Sequence, residues 1–397
     1  MKVIILTGEP IPNGMAATNR IKCYARAVKN GGLDCQVLVC RRTEVFGKPP
    51  RNLEGDGCFN GIPFHYIGGT PLRAGNVFSR QLNDRLDRWS TESYLRKNLG
   101  KGDVVLFYNA GDIKSTLRYV KAAHRNGAFC IRDLCELPYG TGEETRQALR
   151  LRNLVLQQQF PRFDGIISIS DALQNLAKQY SLPSCKHIKV PILVDFDFFR
   201  VDDKPETPAF PFIFHAGTLY EQKDGILGMV EAFGKAKQHL PFPIKYILTG
   251  SIESSSCPDE LRGIIQKYNL ENCVEFVGYL SGSQIKDYLG RASLLISNRP
   301  KSTQDYYGFS TKLGEYLASG TPLIITKWGE AVNWLKDQEN AFIVEPGDVN
   351  KMSAAIVQVF THPAESREVG RAGQELCRQS FDYKVWSKPL VEFMNAL

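Results

Sequence analysis

Short apolar runs rich in β-branched residues alternate with longer segments whose apolar residues recur at helical spacing. In the first half of the chain these runs occupy residues 3–6, 104–108, 128–131 and 166–169. A second series occupies residues 212–214, 246–248, 274–277, 294–297, 323–325 and 342–344. Because strands that alternate with helices form parallel sheets covered by helices, the pattern predicts an α/β fold with two such sheets.

Both halves of the chain open with a strand, a glycine-containing loop and a helix. The first strand leads through Gly14 into a helix whose apolar face carries Ile21, Tyr24, Ala25 and Val28. The strand at residues 212–214 leads through residues 218–224 into a helix that carries Ile226, Val230 and Phe233. Such a turn directs backbone N–H groups and the positive end of a helix at the space above the sheet, where phosphate is the usual ligand.

The length of 397 residues predicts two domains. Residues 200–208 are polar, contain two prolines and lack periodicity, as interdomain linkers do. We therefore place a boundary near Pro205, which gives domains at residues 1–204 and 205–380. The last segment, residues 381–397, is expected to form a helix interrupted by Pro389 that packs back on the first domain.

Composition places the chain among globular proteins, with 43% apolar and 23% charged residues. No run approaches the roughly 18 apolar residues that span a bilayer, and Met1 opens a buried strand rather than a signal peptide, so a cytoplasmic protein is expected. The ten cysteines are scattered without a CxxC pair. Free buried thiols are therefore favoured over disulfides or zinc ligands.

The net charge of +7 is compatible with an anionic membrane surface, an anionic substrate or nucleic acid, and no nucleic-acid motif supports the last. The most basic segment, residues 80–97, carries Leu82, Leu86 and Trp89 at helical spacing together with three acids. Because acids dilute its basic face, we expect an ordinary surface helix in preference to a membrane-binding one. Peripheral association with a membrane stays open.

Residues 307–324 carry the strongest motif, YGFSTKLGEYLASGTPLI. The pattern predicts a glycine turn, a short helix that starts near Ser310, and a buried strand. Amides near Phe309, Ser310 and Thr311 are candidates to hold a diphosphate or sugar hydroxyls. Glu315, one turn after Thr311, is a candidate to accept hydrogen bonds from a ribose diol, although for Glu315 in isolation a solvated glutamate on a surface helix would be favoured.

This segment resembles the signature of glycosyltransferase family 4, in which two glutamates separated by seven residues precede an A-x-G-x-P turn. Glu315 matches the second glutamate, and Lys312 is the lysine of the G-F-x-x-K-x-x-E-Y variant. Tyr307 stands at the first glutamate, with Asp305 as a partial substitute. The resemblance implies that this position lies close to the transferred sugar.

A second stretch, residues 215–223, is similar to the G-R-L-x-x-x-K motif of the same family. Lys223 aligns with the lysine, Gly217 with the glycine, and Thr218 stands where the family has arginine. The resemblance implies that Lys223 neutralises the donor diphosphate, whose charge grows as the glycosidic bond breaks. An ordinary surface lysine is the alternative.

Two weaker matches concern backbone turns. Val277, Gly278, Tyr279 and Leu280 resemble the strand and turn whose backbone borders the nucleobase in these enzymes. Gly14 matches a glycine that lets the first loop approach the donor phosphates. Plain scaffolding is an equal alternative for both.

In the first half, Asp133 and Glu136 follow a strand in the segment where many relatives carry acidic residues near the reacting sugar. Arg132 replaces the histidine of those relatives. Either acid is a candidate to position the acceptor hydroxyl. A helix cap or a salt bridge is an equal alternative for each.

The resemblance implies a GT-B architecture, in which two Rossmann-like domains face each other across a cleft. It implies transfer of a hexose from a UDP- or GDP-sugar to a hydroxyl of a glycan or lipid-linked acceptor, with retention, in surface polysaccharide biosynthesis. Lys223 and helix-start amides would stabilise the departing diphosphate. Since there is no DxD-like motif and no His/Cys cluster with metal-ligand spacing, neither a metal nor another cofactor is expected.

Two rival functions stay open. A catalytically silent sugar-binding or scaffold subunit is compatible with the replacement of two family charges, at Thr218 and Tyr307. A nucleotide-sugar epimerase of the same fold would need no acceptor. The family-like order of Lys223 and Glu315 ranks the epimerase last.

Overall fold

The computed structural model describes residues 1–140, 144–201 and 210–397, which form two compact units. The first unit contains residues 1–194 and 383–397, and the second contains residues 195–382. The predicted boundary at Pro205 lies outside the described residues. The units divide earlier, between Val194 and Asp195, because Phe196 and Phe199 are buried in the second unit.

The strands of the described residues form two sheets. The first unit contributes eight strands, β1 (Lys2–Thr7), β2 (Asp34–Val39), β3 (Asp56–Phe59), β4 (Ile62–Tyr66), β5 (Val104–Tyr108), β6 (Phe129–Leu134), β7 (Gly165–Ser168) and β8 (Lys186–Lys189). The second unit contributes six, β9 (Phe212–His215), β10 (Lys245–Leu248), β11 (Val274–Phe276), β12 (Leu294–Ser297), β13 (Leu323–Thr326) and β14 (Phe342–Val344).

Helices follow most of the strands. In the first part of the chain they are α1 (Ala16–Asn30), α2 (Val77–Asn98), α3 (Ile113–Arg125), α4 (Arg146–Leu154) and α5 (Asp171–Tyr180). The second unit contains α6 (Phe196–Phe199), α7 (Glu221–Asp224), α8 (Ile226–Lys237), α9 (Pro258–Lys267), α10 (Gly282–Arg291), α11 (Thr303–Tyr307), α12 (Lys312–Ala318), α13 (Val349–Thr361) and α14 (Pro363–Ser380). The chain closes with α15 (Ser387–Asn395), in which Pro389 falls in the first turn, where proline is tolerated.

The first sheet has the strand order β3-β4-β2-β1-β5-β6-β7-β8. All neighbouring strands are parallel except β3 and β4, which form an antiparallel hairpin. Strand β1 lies in the interior of this sheet, and Val3, Ile4, Ile5 and Leu6 are fully buried. A strand covered by helices on both faces needs apolar residues at consecutive positions, which explains the continuous run that the sequence shows.

The second sheet is parallel, with the order β11-β10-β9-β12-β13-β14. After β9 the chain builds outward through β10 and β11, then returns to place β12 on the other side of β9. The connections therefore diverge between β9 and β12 and leave a crevice at the carboxyl ends of these strands. Ligands of doubly wound sheets bind at this kind of position.

The predicted α/β class and the predicted strands are confirmed. Every apolar run identified in the sequence lies on a strand, whereas β2, β3, β4 and β8 were not predicted. The hairpin of β3 and β4 turns at Asn60 and Gly61, which have φ of 48° and 71° and thus suit a tight turn. Both strands are short and mix polar with apolar residues, and β3 forms the edge of the sheet, so the hairpin lacks a continuous apolar run like that of β1.

Two predictions from composition can be compared with the structure. All ten cysteines are free, and most are buried, which confirms the expectation of unpaired thiols. Across the described ranges, the helices include none that combines the length and apolarity needed to cross a bilayer.

Candidate functional site

The crevice between β9 and β12 contains a buried histidine, His215, the last residue of β9. Its Nδ1 lies 2.9 Å from the backbone oxygen of Ile296 in β12. Because a carbonyl oxygen only accepts, Nδ1 carries the proton and Nε2 presents a lone pair. That Nε2 lies 3.7 Å from Oδ1 of Asp224 and makes no hydrogen bond to any described residue.

Asp224 and Lys312 form an ion pair beside this histidine. Nζ of Lys312 lies 2.5 Å from Oδ1 of Asp224, while Oδ2 accepts a hydrogen bond from the Thr218 amide at 3.3 Å. The two side chains differ in accessibility, since 23% of Lys312 is exposed against 3% of Asp224. The carboxylate is therefore buried, whereas part of the Lys312 side chain is exposed to solvent.

The electrostatics of this trio follow from burial and proximity. Burial, and then the charge of Lys312, lower the pKa of His215 to about 4, so the imidazole is neutral at pH 7. Burial alone would raise the pKa of Asp224, but Lys312 and then His215 outweigh it and lower that pKa to about 2. Burial lowers the pKa of Lys312, and Asp224 opposes this effect.

A second ion pair of the same design follows β12. Arg299 bonds Asp305 through its guanidinium group, and 25% of Arg299 is exposed against 7% of Asp305. Its backbone is fixed to β13, because its amide donates to Oγ1 of Thr326 at 2.7 Å. Arg299 also contributes to lowering the pKa of Lys312. Each of these cations is thus backed by a buried aspartate at the carboxyl edge of the sheet.

Gly217 provides the space in which the trio meets. A Cβ atom at this position would lie 2.4 Å from Nε2 of His215 and 3.0 Å from Nζ of Lys312, which excludes any larger residue without rearrangement. The Gly217 amide donates to Oγ1 of Thr249, at the end of β10, at 2.8 Å. The glycine therefore allows a close approach between the backbone and the ion pair.

Tyr316 attaches α12 to the same loop. The Ala216 amide donates to the Tyr316 hydroxyl at 2.7 Å, and Tyr316 is fully buried. Its neighbour Glu315 is half-buried in the first turn of α12. Tyr316 therefore anchors α12 to the loop after β9, and Glu315 provides a carboxylate on the same short helix.

The predicted lysine Lys223 lies directly before Asp224 in the chain. Lys223 is exposed in α7, whereas the adjacent Asp224 is buried and is paired with Lys312. Thr218 is also exposed, with its amide bonded to Asp224. Of the two predicted lysines, Lys312 is the one that the structure brings into the crevice.

The segment before α12 was predicted to form a glycine turn whose amides hold a ligand, with a helix that starts near Ser310. Phe309 is buried against Phe381, with ring centroids 5.8 Å apart, so its side chain belongs to the core. The carbonyls of Ser310 and Thr311 accept hydrogen bonds from the amides of residues 313 and 314, and the helix begins at Lys312 rather than near Ser310. Tyr307 is half-buried at the end of α11.

The turn predicted to border a nucleobase lies at the same edge of the second sheet. Gly278, with φ of 73°, exchanges backbone hydrogen bonds of 2.7 and 3.0 Å with Gly250 after β10. The Val277 amide donates to Leu248, and Leu280 is half-buried. Tyr279 is 72% exposed. The turn is therefore two strands away from Gly217, since β10 separates β9 from β11.

Asp133 has a different environment from the predicted one. It is 0% exposed in its side chain, and its Oδ1 accepts hydrogen bonds from Tyr24 at 2.5 Å and Arg20 at 3.2 Å. Arg20 also donates to the backbone oxygen of Pro191 at 2.6 Å. Asp133 thus balances a buried arginine that ties α1 to the strand ends, which agrees with the salt-bridge alternative.

The other two candidates of the first unit have simpler surroundings. Glu136 is exposed just after β6. A Cβ atom on Gly14 would lie 1.9 Å from Oγ1 of Thr18, so a tight turn already requires glycine there. Its packing agrees with the scaffolding alternative.

The described residues contain one group of histidine, cysteine and acid that is compact enough for a metal, namely His124, Cys130 and Asp164 in the first unit. Asp164 Oδ2 already accepts from the Cys130 amide at 2.7 Å and lies 2.9 Å from His124 Nε2. Burial raises the pKa of Cys130, which keeps its thiol protonated. Asp164 and His124 are thus already bonded within the protein, and metal binding here would also require Cys130 to release its proton.

Sequence reasoning missed His215, Asp224, Arg299 and Tyr316 as site residues. Asp224 and Lys312 are separated by 88 positions, and Ala216 and Tyr316 by 100, so no local spacing relates them. One usable signal existed: the central strand β9 ends in histidine, and an acid directly follows Lys223. Polar residues at the end of a buried strand of a parallel sheet are candidates for a ligand site.

Comparison with known sequences identifies a family for the second unit. Residues 211–362 match the model of the group 1 glycosyl transferases. The putative colanic acid biosynthesis glycosyltransferase WcaL of Escherichia coli is 24% identical over 266 residues, which cover 65% of this chain. The match spans 63% of that relative's length. The amylovoran biosynthesis glycosyltransferase AmsK of Erwinia amylovora is 22% identical over 35% of this chain and 34% of its own length.

Solved structures resemble the chain over almost its whole length. Anabaena HepE in complex with UDP and glucose superposes with a TM-score of 0.71 at 18% identity and full coverage of both chains. Sucrose-phosphate synthase of Thermosynechococcus elongatus gives a TM-score of 0.71 at 16% identity, with 98% of this chain and 97% of that chain covered. The chain therefore has a GT-B fold, and its residues 211–362 match the group 1 glycosyl transferase model.

Proposed function

We propose that the protein is a nucleotide-sugar-dependent glycosyltransferase that transfers a hexose to a hydroxyl of a glycan or lipid-linked acceptor, with retention of configuration. The observation that carries this proposal is a pair of cations, Lys312 and Arg299, at the crevice between β9 and β12. Each cation forms an ion pair with a buried aspartate. The family match of the same residues gives the reaction class.

The arrangement suits a diphosphate for an electrostatic reason. Lys312 and Arg299 each keep about a quarter of the side chain exposed, whereas their aspartates are almost fully buried. The buried carboxylates fix the cations in place before a ligand binds, so no reorganisation is needed when negative charge develops. Exposed Lys223 is available as a further cation, and Arg299 supplies the guanidinium group that Thr218 lacks.

In the proposed reaction the bond between the anomeric carbon and the diphosphate oxygen breaks. The acceptor oxygen bonds that carbon from the same face, and its proton passes to the departing diphosphate. Lys312 and Arg299 stabilise the additional negative charge on the leaving group. Glu315 accepts hydrogen bonds from the ribose hydroxyls, and the position of Tyr307 lies near the hexose. In this proposal Lys312 and Arg299 supply the positive charge that stabilises the leaving group, so no divalent ion is required.

The substrate classes follow from the relatives. Two matched relatives are named for colanic acid and amylovoran biosynthesis, and HepE was solved with UDP and glucose. We extend this to a UDP- or GDP-hexose donor and to a role in surface polysaccharide biosynthesis. The finer identities of sugar and acceptor depend on the shape of the binding site rather than on the family.

A transfer assay tests the proposed function. Purified full-length protein is incubated with radiolabelled UDP- and GDP-hexoses and a lipid-linked oligosaccharide fraction, with and without EDTA. We expect label to enter the acceptor over many turnovers, at a rate that EDTA leaves unchanged. Nucleotide binding without transfer to any acceptor would support the silent subunit, and donor interconversion without acceptor would support the epimerase.

A further inference from the structure

Helix α2 presents an unusually apolar face to solvent. Phe78 is 78% exposed and Trp89 69%, and Val77, Leu82 and Leu86 are each close to half exposed or more. Phe78, Leu82, Leu86 and Trp89 follow one another at intervals of four, four and three residues, which places them on one side of the helix.

The side of α2 that packs on the protein carries two buried polar residues together with the buried Leu95. Asp87 and Thr91 are buried, Asp87 lies 3.7 Å from Nε of Arg42, and the Thr91 hydroxyl donates to the Asp87 carbonyl at 2.7 Å. A surface helix normally buries its apolar side. In α2, by contrast, Phe78, Leu82, Leu86 and Trp89 are exposed, while Asp87 and Thr91 are buried.

The apolar face continues beyond the helix into a neighbouring loop. Phe46 is 70% exposed and Val45 51%, and a Cβ on Gly75 would lie 3.0 Å from the ring of Phe46. Gly75 directly precedes the residue that caps α2, Asn76. Phe46 and the start of α2 are therefore neighbours. We call Phe46, Phe78, Leu82, Leu86 and Trp89 the α2 apolar surface.

Basic residues accompany this surface. Residues 45–53 and 72–89 contain six basic residues and two acids, and one of the acids is the buried Asp87. The basic residues are Lys48, Arg51, Arg73, Arg80, Arg85 and Arg88. Among them Arg85 is exposed on the helix between Leu82 and Trp89. The surface thus combines aromatic side chains with positive charge.

We propose that the α2 apolar surface docks on a lipid bilayer that contains anionic headgroups. Exposed Trp and Phe side chains fit the boundary between headgroups and acyl chains, and arginines beside them pair with lipid phosphates. Exposed apolar patches that are rimmed by charge mark interaction sites. The positive charge around this patch favours an anionic bilayer as its occupant. This inference is independent of the transfer reaction.

Vesicle sedimentation of the full chain tests the proposal. We expect binding to phosphatidylcholine vesicles that contain phosphatidylglycerol, and binding weaker by about tenfold or more to phosphatidylcholine alone. The double substitution Phe78→Ser and Leu82→Ser should weaken binding to anionic vesicles at least about tenfold, because both side chains would otherwise enter the bilayer. The matched control, Leu182→Ser and Val385→Ser, removes two exposed apolar side chains elsewhere and should bind as the wild type does.

Three results would overturn the proposal. The first is absence of binding to vesicles of either composition. The second is an equal loss of binding in the control variant. The third is a dimer in solution, detected by light scattering, that Phe78→Ser with Leu82→Ser converts to a monomer, since the surface would then be covered by a second copy of the chain.

Arg85→Gln should weaken only the binding to anionic vesicles.

Discussion

At the scale of single residues, the candidate site depends on which lysine is held by a buried acid. Lys223 has the position that the family motif assigns to the lysine, yet it is exposed, while Asp224 next to it holds Lys312 from 88 residues away. The sequence could identify both lysines as candidates. It could not rank them, because the partner of each is determined by tertiary structure.

His215 leads to a prediction about pH. The pKa of His215 is lowered to about 4 in the folded protein, against 6.5 in an unfolded chain. The unfolded chain therefore binds more protons between these values, and stability falls as the pH drops from 6.5 towards 4. At about pH 5 the loss from this residue is of the order of 2 kcal/mol relative to pH 7.

Urea unfolding of His215→Asn at both pH values checks this prediction. The asparagine amide can still donate to the Ile296 carbonyl but does not titrate, so the variant should lose less stability between pH 7 and pH 5 than the wild type does. The exposed His239 of the same unit serves as the control, and His239→Asn should follow the wild type. An identical pH dependence in wild type and His215→Asn would contradict the buried neutral imidazole.

At the scale of elements, apolar runs located most of the interior strands, because such strands are covered on both faces. The interior strand β2 was not predicted, and the hairpin of β3 and β4 escaped prediction because its strands are short and mix polar with apolar residues. Helix α2 is the opposite case: its apolar residues were found at helical spacing, but spacing does not tell which face meets the protein. Only the packing of Asp87 and Thr91 shows that the apolar face is outward.

The attachment of α12 to the loop after β9 gives a prediction at this scale. Tyr316→Phe removes the acceptor of the buried Ala216 amide, so we expect a loss of about 1–3 kcal/mol in the free energy of unfolding. Tyr288→Phe is a matched control, because Tyr288 stacks on Phe214 at 5.0 Å and shows no hydrogen bond of its hydroxyl among the described contacts. Denaturant titration measures both, and equal stability of the two variants would contradict the anchoring role.

At the scale of the whole molecule, the two units each have a mainly parallel sheet with a strand order that reverses direction near its first strand. The alternation of strands and helices predicted two parallel sheets of this kind. The last segment was also expected to pack back on the first domain, and residues 383–397 belong to the first unit, where Leu390, Phe393 and Met394 are part of the core. The candidate site of the second unit lies where its strand order alone would put a ligand.

Under the proposed function, the crevice between β9 and β12 holds the diphosphate of the donor. Calorimetric titration with UDP, GDP and ADP identifies the nucleotide that the full chain binds, and that nucleotide is then titrated into Lys312→Gln and into Lys267→Gln. Lys267 is a suitable control because it is 64% exposed and also pairs with an acid in the second unit.

We predict that Lys312→Gln weakens binding about tenfold or more, since it removes a cation and leaves the negative charge of Asp224 facing the diphosphate, while Lys267→Gln binds within about twofold of the wild type. Equal affinities of all three proteins for the nucleotide would contradict a diphosphate site at Lys312.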